Sequence, residues 1–336
     1  MFPSSRIHAF YGPYGAGKSF AISYLANPKT RNILLKHIAS AGKTEDFLAI
    51  SVAASLPLKA GLFVQAIYLG IFTKLFTEVF SDRDAVRDFR TDASRIDGIV
   101  GRATRNIAEN MKIGLDGRIS QHELDKNPGH KLLNLERSTL GSMKTQADYV
   151  AAIKAVTEPL LGKYRRIIIA IDELENLRQV SMAERLFLND FIRKLHAEIE
   201  TGLTLILVFS LNTFEEVGAI LQPAVVSRIS ETISFDYVRG KEDIIEYIQE
   251  CFEKGAGIQS SDLIEPEALN LIADDLLKFR KEVTFRDVNK QLHRIFGSLL
   301  YLKQKERPIK ITKVAYEGFR KKLPVDDILR ELGSAS

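Results

Sequence analysis

Gly12-Pro-Tyr-Gly-Ala-Gly-Lys-Ser19 fits the pattern G-x-x-x-x-G-K-[ST] at every constrained position. The chemistry of a polyphosphate explains that pattern. Its negative oxygens must be met by backbone N–H groups that all turn inward, and Gly12, Gly15 and Gly17 give the chain that freedom. Lys18 supplies a mobile point charge for the β- and γ-phosphates, and the Ser19 hydroxyl stands at a helix start where it can ligate Mg²⁺. Pro13, Tyr14 and Ala16 complete the loop and Phe20 follows it, so residues 12–20 are the expected nucleotide-binding stretch. The flanks agree: residues 6–11 (RIHAFY) read as a strand and residues 19–26 (SFAISYLA) as a helix.

A second stretch, residues 166–175 (RIIIAIDELE), is an unbroken apolar run that ends in carboxylates. Such a run suits a strand buried on both faces of a parallel sheet. Its C-terminal end is then the edge where ligands bind in open α/β sheets. Asp172 is the expected Mg²⁺ partner, and Glu173 the residue that orients and polarises the water attacking the γ-phosphate. The plainer alternative is that the acidic pair only opens the next helix, favoured by its dipole.

The composition frames these motifs. A chain of 336 residues suggests two domains, or one large domain with an appendage. A hydrophobic share of 45% can fill a real core, and a formal charge of +4 is mildly basic. The single Cys251 excludes an intramolecular disulfide, and the six scattered histidines offer no metal-ligand spacing. A cytoplasmic protein without a signal peptide is the expectation. Residues 60–73 (AGLFVQAIYLGIFT) are uncharged but shorter than a membrane span needs, so a buried or partner-facing helix is expected there.

Along the chain, residues 46–54 read as a second strand and residues 57–80 as an apolar helix. Residues 81–142 carry dense mixed charge and several glycines, read as helical segments and a loop with solvated faces. Residues 145–161 and 182–200 read as amphipathic helices, with Phe187, Phe191 and Leu195 packing in the core. Residues 203–210 (LTLILVFS) are a third buried strand and residues 229–237 (ISETISFDY) an alternating one. Beyond residue 240 the pattern is helical. The fold class is therefore α/β, with a parallel-sheet core over 1–238, a helical insertion over about 57–142, and an all-helical domain over 239–336.

The order and spacing of these pieces resemble the AAA+ ATPases, and within them the initiator-like branch of archaeal origin-recognition proteins, loader subunits and transposition regulators. The resemblance implies roles for three further residues. Asn212, after the third buried strand, would be the polar sensor 1 beside Glu173; as a plain reading it is a helix N-cap. Arg228, closing residues 221–228 (LQPAVVSR), would be an arginine finger reaching the γ-phosphate of a neighbouring subunit; its plain reading is a surface or intrachain ion pair. Arg286, in residues 284–296 (TFRDVNKQLHRIF) with Thr284 able to cap the helix, would be the sensor 2 arginine, with Arg280, Lys281 and Arg294 as rivals.

The resemblance thus implies ATP and Mg²⁺ as ligands and ATP hydrolysis in a homo-oligomer, whose nucleotide state controls engagement with DNA or a protein client. Residues 303–322 hold eight basic residues against two acidic, which would suit a phosphate backbone. Two departures stand out. Only five residues precede the first strand, which leaves adenine recognition open, and about 30 residues beyond Pro308 are too few for a winged helix. A slow-turnover signalling or defence switch is the second functional reading, and a membrane-associated NTPase using residues 60–73 the third.

Overall fold

A computed structural model describes residues 4–40, 46–55, 63–80, 145–256, 258–279, 282–300 and 310–321. Two compact units are present, one of residues 1–12 and 18–234 and the other of residues 13–17 and 235–336.

The first unit is built on five parallel strands: β1 (Arg6–Tyr11), β2 (Phe47–Ala53), β3 (Arg166–Asp172), β4 (Leu203–Phe209) and β5 (Ile229–Ser234), in the order β2-β3-β4-β1-β5. Central β4 is buried at all seven positions, which is why its sequence shows no alternation. At the edge, β5 has one neighbour and is largely exposed; it stops at Ser234 and does not alternate as the sequence suggested.

The helices of this unit are α1 (Lys18–Ala26), α2 (Pro28–Ser40), α3 (Phe63–Phe80), α4 (Gln146–Leu161) and α5 (Met182–Glu198), with two short turns, α6 (Phe214–Gly218) and α7 (Pro223–Val226), beside β5. The apolar α3 belongs to the core itself: Phe63, Ile67, Tyr68, Ile71 and Leu75 are buried, and Tyr68 stacks on Tyr149 of α4 at 4.4 Å. A Cβ at Gly70 would stand 2.6 Å from Val52 Cγ1, so a glycine is what lets α3 lie this close to β2. Phe191 and Leu195 of α5 are buried as expected, and Phe187 partly so. Among the described residues, no helix is long and apolar enough to cross a membrane. Residues 57–62 and 81–142 of the expected insertion lie outside the described residues.

The second unit is helical: α8 (Lys241–Ala256), α9 (Ser260–Leu263), α10 (Pro266–Phe279), α11 (Phe285–Leu300) and α12 (Lys313–Arg320) surround a separate core that includes Ile244, Ile272, Val288 and Tyr316. The sequence-derived fold class, a parallel sheet followed by an all-helical unit, is the one found. A buried carboxylate ties two helices of this unit. Asp275 of α10, 8% exposed, accepts hydrogen bonds from the Tyr316 hydroxyl at 3.0 Å and from Arg320 Nη2 at 2.8 Å, both on α12. Burial pushes the Tyr316 phenol up to about 12, so it stays a donor. Asp275→Ala leaves both donors short of an acceptor and is expected to lower the unfolding free energy by about 2 kcal/mol, read by denaturant titration.

Candidate nucleotide site

Parallel register sets the geometry of the site. Ala9 of β1 and Ile171 of β3 both pair with Leu207 of β4, so the two flanking strands leave the sheet at one level and one edge. With a single strand between them, the exit of β1 into the loop and the exit of β3 into its carboxylates stand about 10 Å apart.

On the loop, Gly12, Gly15 and Gly17 have φ of 147°, 90° and 100°. All three lie in the positive-φ region that side chains disfavour, so the spacing of glycines in the motif has its expected cause. Lys18, first residue of α1, is 4% exposed, and its Nζ donates to the Gly12 carbonyl at 2.8 Å. The ammonium is therefore held under the loop. Ser19 and Phe20 are exposed at the start of the helix, Phe20 at 72% and 6.4 Å from the ring of Tyr24 one turn on.

Residues 13–17 of the loop pack with the helical unit. The Arg286 N–H donates to the Gly15 carbonyl at 3.3 Å, and a Cβ at Gly15 would stand 2.9 Å from Thr284 Oγ1. Tyr14, 68% exposed, lies under the Arg286 guanidinium at 4.0 Å, a cation–π contact. The start of α11 is fixed by a reciprocal cap: Asp287 N–H donates to Thr284 Oγ1 at 3.3 Å, and Thr284 N–H donates to Asp287 Oδ2 at 3.1 Å. Of the rivals to Arg286, Arg294 is exposed on α11, while Arg280 and Lys281 lie outside the described residues.

At the end of β3, Asp172 Oδ1 accepts the N–H of Glu173 at 2.9 Å. Glu173 has φ 62° and ψ 32°, the only non-glycine with positive φ among the described residues. Its carboxylate is exposed and makes no capping bond to the 3₁₀ turn Leu174–Gln179 that follows.

Asn212 is exposed just beyond β4, and its own N–H donates to Glu216 Oε1 at 3.3 Å. It is not the N-cap of α6; that position is taken by Thr213, whose Oγ1 accepts the Glu216 N–H. The pattern Thr-x-x-Glu at 213–216 carries that signal in the sequence, and the choice of Asn212 overlooked it. Arg228 is half-buried after α7, and its Nη1 donates to the Ala224 carbonyl, closing its own turn; no ion pair of Arg228 is found among the described residues. The turn is tethered by Asn189 of α5, which is buried and accepts the Gln222 N–H at 2.7 Å. The sequence reading missed Asn189 because a lone Asn in an amphipathic helix has no local signature. Among the described residues no cluster of His, Cys, Asp and Glu could by itself hold a metal ion.

No family model and no curated protein matches the sequence. Among solved structures, the Aeropyrum pernix Orc1 protein, determined in complex with DNA, is similar in fold to this chain at 14% sequence identity and a TM-score of 0.47. The similarity covers 96% of this chain and 60% of that one.

Proposed function

We propose that this chain binds ATP with Mg²⁺ and hydrolyses it. The observation that supports this best is the glycine loop and the carboxylate pair leaving the same sheet edge, one strand apart. The residues fit the ligands: three glycines with the positive φ that a loop of inward N–H groups needs, a covered Lys18, and the carboxylates of Asp172 and Glu173 at the end of β3. Lys18 neutralises the β- and γ-phosphates, residues 12–20 wrap the nucleotide, and Ser19 with Asp172 holds the metal. Mg²⁺ would supply charge neutralisation between the phosphates. Glu173 serves as the base that orients the attacking water, and the role of Asn212 in aligning that water rests on the AAA+ resemblance.

The roles of Arg228 as a finger reaching a second copy, and of Arg286 as the residue that senses the γ-phosphate, rest on the AAA+ resemblance. So does the further reading that copies assemble and that nucleotide state governs engagement with DNA or a protein client. Among the cations of residues 303–322, Lys310, Lys313 and Lys321 are exposed, whereas Arg320 is committed to Asp275. Residues 303–309 and 322 lie outside the described residues.

Steady-state hydrolysis measured against protein concentration, with and without duplex DNA at two salt concentrations, tests this reading. Specific activity is expected to rise with concentration, and again with DNA at low salt. Slow turnover indifferent to both would favour the nucleotide-retaining switch.

A further inference from the structure

Glu173 sits in a backbone conformation that an L-residue with a long side chain rarely adopts, and such a conformation persists only where its surroundings over-determine it. Those surroundings are visible on both sides of β3. Towards β4, Glu175 Oε2 accepts the N–H of Ser210, the residue after that strand, at 3.0 Å. Towards β2, Asn176 Nδ2 donates to the carbonyl of Ala54, the residue after that strand, at 3.0 Å. The Ala54 N–H in turn donates to the Asp172 carbonyl at 2.7 Å, and the Asn176 N–H to the Glu173 carbonyl at 3.1 Å. Leu174 and Leu177 are fully buried beneath the turn. The four residues after β3 are therefore pinned to both neighbouring strands at the edge where the carboxylates emerge.

We propose that Glu175 and Asn176 are positioning residues for hydrolysis: their side chains clamp the turn to the ends of β4 and β2 and so hold Glu173 left-handed, with its carboxylate free of capping and turned to solvent. The proposal rests on the reading of Glu173 as the residue that orients water. The side-chain hydrogen bonds of both clamps go to the ends of β4 and β2. Both act on the rate of the chemical step and leave ATP affinity alone, because Lys18 and the glycines of residues 12–17 are untouched by them.

The test is a double-mutant cycle in the full chain, reading ATP turnover and, separately, equilibrium binding of ATP with Mg²⁺. Glu175→Ala is expected to lower kcat by about tenfold or more with ATP affinity unchanged, the size of loss typical when an outer-layer partner is removed. Glu175→Gln, whose amide oxygen can still accept the Ser210 N–H, is expected to restore most of the rate. In the Glu173→Gln background, Glu175→Ala should bring no further loss. Asn176→Ala carries the same cycle independently if Glu175→Ala does not fold. Turnover at the wild-type rate in the clamp variants overturns the proposal, as does weakened ATP binding or a loss that multiplies with that of Glu173→Gln. Wild-type turnover in Glu173→Gln alone is a different result: it removes the underlying reading of Glu173.

Discussion

Lys18→Ala is expected to abolish useful nucleotide binding while leaving the fold intact. In the present structure the ammonium is covered and donates to the Gly12 carbonyl, so it is already oriented at the loop and loses little side-chain freedom when phosphates arrive. Charge-assisted hydrogen bonds of this kind are worth about 1.5–3 kcal/mol each, so removing the residue should weaken ATP binding on the order of a hundredfold. Stability should change far less, because a buried ammonium is itself costly to desolvate. Titration of a fluorescent ATP analogue, with a thermal unfolding curve on the same sample, separates the two effects. A variant that binds normally would take Lys18 out of the site.

Glu173→Gln is expected to bind ATP as tightly as the parent and to lose hydrolysis by about 10²–10³-fold, the range for removing a residue that accepts a proton or orients the nucleophile. The amide keeps the shape of the side chain and removes its charge, so the left-handed backbone is unaffected. Glu173→Gly asks a different question of the same position. A glycine adopts φ 62° without a Cβ penalty, so this variant should lose hydrolysis just as fully and yet gain about 0.5–1 kcal/mol of stability. A rising midpoint with falling activity would mark Glu173 as a residue whose conformation is kept for chemistry. Equal or lower stability would mean that the surrounding turn requires the glutamate for packing.

The parts legible in the sequence share a physical property: they are set within a few residues. The loop needs glycines where φ is positive, and the spacing of Gly12, Gly15 and Gly17 records that directly. β3 and β4 are buried on both faces, and their continuous apolar runs say so. Thr284 as the cap of α11 was readable for the same reason, since cap and partner are three residues apart. Asn and Thr at 212 and 213 can both cap, and the glutamate at 216 decides for Thr213.

What stayed hidden depends on strands far apart in sequence meeting at one edge. The clamps of Glu175 on Ser210 and of Asn176 on Ala54 span 35 and 122 residues, and no periodicity encodes them. Arg286 was read as a nucleotide contact, but its stacking on Tyr14 was not foreseen, because it requires residues 13–17 to pack with the helical unit. Arg320 is one of the eight cations counted for a phosphate backbone; it is exposed, but its charge is compensated by Asp275, 45 residues away.

The most direct test of the account is phosphate release from ATP by the wild-type protein, measured with Mg²⁺, with Mg²⁺ removed by a chelator, and with Glu173→Gln prepared in parallel. The account predicts turnover that disappears on chelation and disappears in the variant while ATP remains bound. Release that survives both, or a wild-type protein that binds ATP and releases no phosphate, would contradict it.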